Sequence, residues 1–146
     1  MATFSRNVTV DWNGSLLEGS GTAKAATGAF SLPVAFPKRI GDPGGQTSPE
    51  ELIAAAHAIC FAMVVNATIG KKGGSIEKTS VTCTVTADKS DSGIKITTSQ
   101  LVVTAEGVKG VEPAAFEAFV KEAEKGCPVS GALRGNVDIQ VSASAK

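Results

Sequence analysis

Two of the three cysteines stand where a thiol can do chemistry. Cys60 lies within residues 52–69, a run without a formally charged residue, and Cys127 sits in Gly126-Cys127-Pro128, directly ahead of a short predicted helix. The reactive form of cysteine is the thiolate, which burial alone disfavours by raising the thiol pKa. A thiol at a helix N-terminus has the opposite help, because unpaired N–H groups and the helix dipole favour negative charge. On residue type alone, a lone cysteine is more often a small core hydrophobe. A turn has less need of such a hydrophobe than a helix face, which tilts Cys127 towards chemistry. Cys83 alternates with Val81 and Val85 in a strand pattern and reads as an inert core thiol.

Other side chains compete for roles beside these thiols. His57, the only histidine, precedes Cys60 by three residues, near enough in helical phase to suggest a metal pair with Cys127 as third ligand. Only these three ligands are evident, whereas a closed zinc site takes about four. A metal- or ligand-binding domain without turnover is therefore the alternative to an enzyme, and a purely structural domain is a third class. Arg39, in a polar loop, is ordinarily a solvated surface group, with Arg6 and Arg134 as rivals. Glu50 favours the dipole of a helix first turn, and Glu51 reads as a capping partner.

The element that must position Cys60 is a long helix beginning at Ser48. Ser48 suits the N-cap, Pro49 the first helical position, and Glu51 completes a capping box. Apolar residues cover every face from Leu52 to Ile69, so the helix is expected to be surrounded by protein, with Cys60 inside the fold. The run also meets the length criterion for a membrane span, about 18 residues. Its alanine-rich composition, His57, Asn66 and amphipathic flanking strands argue against one. No basic n-region or cleavage site precedes it, so no signal peptide is expected.

Before the helix, residues 8–12, 16–26 and 30–36 read as three antiparallel strands. Asn13-Gly14 is a turn signal, and Pro33 is tolerable only near an edge or strand end. Residues 37–47 are too rich in Gly and Pro for regular structure and form a loop that delivers Arg39 to the helix start. After the helix, Gly70-Lys71-Lys72-Gly73-Gly74 is a stop signal. Residues 76–87 and 94–106 alternate as a hairpin joined by residues 88–93. Residues 113–125 have helical spacing, with Phe116, Phe119, Val120 and Ala123 on one face. Pro128 then starts a short helix with Cys127 as its N-cap, and residues 137–144 close the chain as a strand. This order argues for a single α+β domain, residues 1–146, with antiparallel sheets packed around the long central helix.

Composition narrows the partners. Lys plus Arg equals Asp plus Glu at 14 each, without a basic cluster, so nucleic acid and anionic membranes are not expected partners. An odd cysteine count without a secretory signal points to a reducing, cytoplasmic compartment. No phosphate-binding glycine motif follows any strand, and no cofactor is expected.

Ser-Pro-Glu-Glu-Leu-Ile-Ala-Ala-Ala-His-Ala-Ile-Cys-Phe-Ala-Met (Ser48 to Met63) together with Gly-Cys-Pro-Val-Ser (Gly126 to Ser130) resembles the osmotically inducible protein C and organic hydroperoxide resistance family, OsmC/Ohr. The resemblance covers nearly the whole chain. The His-Ala-x-Cys-Phe form, and an Arg in the loop ahead of the helix, are more similar to the OsmC branch. The resemblance implies an OsmC-like fold in an intertwined homodimer with active sites at the subunit interface. It implies thiol-dependent reduction of organic hydroperoxides, and to some degree hydrogen peroxide, as part of an antioxidant stress response. Cys60 would be the peroxidatic thiol and Cys127 the resolving thiol, with Arg39 and Glu50 completing the site. The reductant implied is a dithiol, characteristically a dihydrolipoyl group on a carrier protein. Ser48 stands where Asn is usual in the family, and Ile59 where a small residue is usual; the second departure bears on pocket shape.

That chemistry requires a permanent cation to keep a desolvated thiol ionised. Arg39 can donate to sulfur and leaving oxygen, with Glu50 holding the guanidinium. Glu50 and Cys60 are ten residues apart on one predicted helix, a rise of about 15 Å. Arg39 and Glu50 are therefore expected to serve Cys60 across a two-fold interface.

Overall fold

The computed structural model describes residues 1–146. The chain forms two compact units, Met1–Leu52 and Ile53–Lys146, with the boundary just inside the long helix.

In the first unit, β1 (Val8–Asn13), β2 (Ser20–Ala25) and β3 (Ser31–Val34) pair antiparallel in that order. Strand β2 starts later than the sequence pattern suggests, because residues 14–19 form a loop. Trp12 Nε1 donates to the carbonyls of Gly14 and Ser15 at 3.1 and 3.3 Å, and the Gly19 N–H closes the loop on Ser15. A Cβ at Gly19 would collide with the carbonyls of Asn13 and Ser15, so only glycine fits there. Pro33 lies on the edge strand β3, where its missing N–H costs no ladder bond.

Strand β3 also stops early. Phe36–Ile40 forms a short helix, α1, inside what reads as strand and loop. Pro37 supplies a preset φ in its first turn, and the Arg39 N–H donates to the Ala35 carbonyl at 3.1 Å. One feature of this unit bears on function: Val8, Val10 and Trp12 on β1, with Leu16 and Leu17 after it, are all exposed.

Helix α2 (Pro49–Lys71) starts where the capping pattern puts it, with the Glu51 N–H donating to Ser48 Oγ at 3.2 Å. The Glu51 carboxylate accepts from the buried Thr47 hydroxyl at 2.8 Å, one residue further upstream than a capping box would have it. At the far end Gly73 adopts φ +80°, and the Gly74 N–H returns to the Ile69 carbonyl at 3.0 Å. The expectation of a helix enclosed on every face is not met within this chain. Only the stripe His57, Phe61, Val65 and Ile69 is buried, while Ile59 and Met63 are 58% and 68% exposed. The helix is long and apolar enough to cross a membrane, but that stripe packs into the core of the second unit.

The second unit holds β4 (Lys78–Ser90), β5 (Gly93–Glu106) and β6 (Asp138–Ala145), with β5 in the middle. Pairing of β4 with β5 continues through Ser90↔Gly93, so the hairpin loop is tighter than predicted, with Asp88 opposite Lys95. Strand β6 runs parallel to β5, which corrects the expectation of purely antiparallel sheets. The physical reason is the connection: α3 (Pro113–Lys125) and α4 (Pro128–Leu133) intervene, and a parallel neighbour requires a crossover of about that length. The α+β class stands. Phe61, Val65 and Ile69 of α2 meet Leu101, Val103 and Ala105 of β5, and Phe116, Val120 and Ala123 of α3, in one core that includes Cys127.

Candidate active site

The structure brings the four residues together as two pairs, one in each unit. In the second unit, Cys127 Sγ lies 3.4 Å from Cys60 Sγ, and both cysteines are free thiols. Cys127 is buried and caps α4, with Pro128 at the start of the helix and the Ser130 N–H donating to Cys127 Sγ at 3.5 Å. Cys60 is only half-buried, because it sits on the flank of α2 between the buried stripe and the exposed Ile59 and Met63. Burial is the largest influence on its thiol and pushes the pKa up. The backbone N–H of Val129 works against that, and the neighbouring Cys127 adds to the rise.

In the first unit, α1 presents Arg39 to Glu50 in the first turn of α2. Arg39 Nη2 donates to Glu50 Oε1 at 2.6 Å, and Nε donates to both carboxylate oxygens at 3.1 Å. The pair is largely shielded, with side chains 27% and 14% exposed. Hydrogen bonding to the guanidinium holds the Glu50 carboxyl below its usual range, and the same contact raises Arg39, so both stay charged. The rivals are otherwise occupied: Arg134 pairs with Glu124, and Arg6 is exposed. A cleft of about 380 Å³ opens beside the pair, with Val10, Trp12, Val34, Phe36 and Leu52 among its walls and Arg39 on its lining.

His57 does not fit the metal-ligand reading. It is fully buried, with Nδ1 2.7 Å from Ser99 Oγ and Nε2 2.7 Å from Ser130 Oγ, so both ring nitrogens have hydroxyl partners. Burial lowers its pKa, which favours the neutral ring. No cluster of three or more metal-ligating side chains occurs. Cys83 joins the same chain of polar groups, its Sγ 3.2 Å from Ser99 Oγ, and burial pushes its thiol up.

Sequence reasoning missed Ser99 and Ser130. The signal for Ser99 was present, since Ser99, Leu101, Val103 and Ala105 fall on one strand face, and a hydroxyl among buried apolar neighbours needs a partner. Ser130 has the helical phase of the N-cap's own contact, three residues after Cys127.

The two free thiols are in contact, one mid-helix on α2 and one at the N-terminus of α4, near enough for a disulfide to join them. The family model described as OsmC-like protein matches residues 41–142. Peroxiredoxin OsmC of Escherichia coli is 32% identical over 139 residues, covering 94% of this chain and 95% of that protein. The chain belongs to the OsmC-like family. Its fold matches the crystal structure of an organic hydroperoxide resistance protein OsmC from Legionella pneumophila, at TM-score 0.73 and 30% identity over 99% of both chains. It also matches the organic hydroperoxide resistance protein OhrB of Bacillus subtilis, at TM-score 0.73 and 26% identity over 94% of this chain and 98% of that one.

Proposed function

We propose that this chain is a thiol-dependent peroxidase that reduces organic hydroperoxides, with residues 1–146 acting as one functional domain. The observation that carries the reading is the 3.4 Å contact between the sulfurs of Cys60 on α2 and Cys127 at the N-cap of α4, both at the same core. The relatives named peroxiredoxin and hydroperoxide resistance protein support the substrate class.

The Cys60 thiolate attacks one peroxide oxygen, the O–O bond breaks, and the organic oxygen leaves as an alcohol after taking a proton. Sulfur is oxidised to sulfenic acid as the peroxide is reduced. The Cys127 thiol then condenses with the sulfenic acid, forming the S–S bond and releasing water, which stops further oxidation. A dithiol, in our reading a dihydrolipoyl carrier protein in a reducing cytoplasmic compartment, returns both cysteines to thiols.

Burial holds the Cys60 thiol up, so the first step needs a cation. Arg39, kept charged and oriented by Glu50, is the group we assign to it, supplied by the second subunit of a homodimer. The uninterrupted α2 supports this assignment, since ten residues of helix, a rise of about 15 Å, separate Glu50 from Cys60. The exposed apolar side chains of Val8, Val10, Trp12, Ile59 and Met63 support a dimer that covers them. The cleft beside Arg39 suits the hydrocarbon part of an organic hydroperoxide, with its oxygens at the guanidinium.

Counting thiols before and after one equivalent of cumene hydroperoxide tests the reading. Loss of two of the three thiols is expected. An unchanged count would overturn it.

A further inference from the structure

The buried imidazole plays no part in the two chemical steps just described, yet it is bound at both nitrogens in the middle of the core. His57 precedes Cys60 by three residues on α2, and Ser130 follows Cys127 by three residues across the first turn of α4. The same two elements are therefore tied twice, one helical turn apart: Cys60 to Cys127 by a sulfur contact of 3.4 Å, and His57 to Ser130 by a hydrogen bond of 2.7 Å. On the other side of the ring, Ser99 of β5 fixes Nδ1 at 2.7 Å, and Cys83 of β4 holds Ser99 from behind at 3.2 Å. A neutral imidazole has one donor and one acceptor, and each serine hydroxyl can supply the complementary role, so the chain of contacts is satisfied in either direction. Turning the ring would break both hydrogen bonds. Burial keeps it neutral, and its two hydroxyl partners, like the ring itself, are fully buried.

Resting on the reading of Cys127 as the resolving thiol, we propose that His57 is a positioning residue for disulfide formation, holding α4 against α2 through the Ser130 hydroxyl so that Cys127 stays aimed at Cys60. In this step the Cys127 S–H bond and the Cys60 S–O bond break, the S–S bond forms, and proton and hydroxyl leave as water. The sulfur contact changes when Cys60 acquires its oxygen, whereas the His57 tie lies a turn away and survives. It also holds the residue whose backbone N–H faces Cys127 Sγ at 3.5 Å. Precise placement matters here because a displacement of about 1 Å can slow a reaction by about a hundredfold. The same arrangement gives Cys83 a role as a passive sulfur behind Ser99 rather than a third redox thiol.

The test separates the two chemical steps. Reduced wild-type protein and the variants His57→Leu, His57→Gln, Ser130→Ala and Ser130→Thr receive one equivalent of cumene hydroperoxide. Sulfenic acid is trapped with dimedone and disulfide is followed by intact mass. Ser130→Ala and His57→Leu should oxidise Cys60 at the wild-type rate but close the disulfide about tenfold more slowly or worse, with dimedone adduct accumulating. Ser130→Thr, which keeps the hydroxyl, and His57→Gln, whose amide reaches about as far as Nε2, should recover most of the rate. Ser130→Ala removes a single atom, so it remains informative if His57→Leu fails to fold. Disulfide closure at the wild-type rate in Ser130→Ala would overturn the inference, as would a parallel loss of both steps that follows only the fall in melting temperature. A wild-type protein that forms sulfenic acid but never a Cys60–Cys127 disulfide would instead overturn the reading beneath it.

Discussion

In the Ile53–Lys146 unit the reactive groups are held by a packed core. Cys127 is buried among Phe61, Phe116 and Val120, the sulfurs touch, and the nearby imidazole is bonded on both sides. In the Met1–Leu52 unit the charged pair borders an open cleft, and the strand that lines it carries Val10 and Trp12 uncovered. The first region holds a pair of touching thiols, one of which the proposed reaction makes a nucleophile that needs a cation; the second has an oriented cation beside an apolar cleft. Each is incomplete in the way that the other would remedy, and the peroxidase reading joins them through a second copy of the chain.

The largest break in that comparison is removal of a thiol. Cys60→Ser should abolish peroxide consumption, whereas Cys127→Ser should consume one equivalent to reach sulfenic acid, fail to form a disulfide and progress to sulfinic acid on a second equivalent of peroxide. Steady-state assays with intact mass report both. Turnover retained in Cys60→Ser would transfer the nucleophile to another residue.

Removal of the cation comes next. In the proposed dimer Arg39 of the second subunit opposes the effect of burial on Cys60, so Arg39→Ala should leave the thiol pKa higher than in the wild-type dimer. Because the thiolate reacts, activity in the variant should be low at neutral pH and recover as pH climbs towards the raised pKa. At neutral pH kcat/KM should fall by about 10²–10³-fold, the size typical of losing one preorganised electrostatic contact. Thiolate absorbance against pH, measured beside the pH–rate profile, checks it. Glu50→Gln should show the same direction with a smaller loss, since the guanidinium stays but is less firmly held.

The smallest effect tests the cleft. Trp12→Ala should lower the preference for cumene hydroperoxide over hydrogen peroxide, since buried apolar ligand surface is worth about 25 cal/mol per Å² and hydrogen peroxide has no apolar surface to bury. The ratio of kcat/KM values measures it, and an unchanged ratio would mean that the cleft is not the peroxide pocket.

Much of this architecture was legible where local rules and burial agree. Residues 113–125 have a 3.6-residue period, a Pro start and a Gly end, and α3 occupies that span. Cys127 as N-cap followed from Pro128 alone. The parallel direction of β6 was not legible, because its alternation is the same in either direction and only the helical crossover decides it. The short α1 was hidden because Pro and Gly counts mask a single turn that Pro37 is well placed to begin. The uniform apolarity of α2 predicts a helix surrounded by protein, but composition cannot say whose surface covers Ile59 and Met63. In the candidate site, Cys60 touches Cys127 and Arg39 pairs with Glu50, contacts between residues 67 and 11 positions apart that the sequence alone does not display. The hydroxyl partners of His57 come from β5 and α4, 42 and 73 residues away, a distance that no local pattern spans.

The central claim is that one site is assembled from two chains. Subunits carrying Cys60→Ser and subunits carrying Arg39→Ala can be refolded together, giving mixed dimers in which one of the two composite sites combines an intact Cys60 with an intact Arg39. Neither parent dimer has such a site. We predict that hydroperoxide reductase activity well above that of either parent returns on mixing. Activity no higher than the parents', with mixed dimers demonstrated by mass, would contradict the shared site.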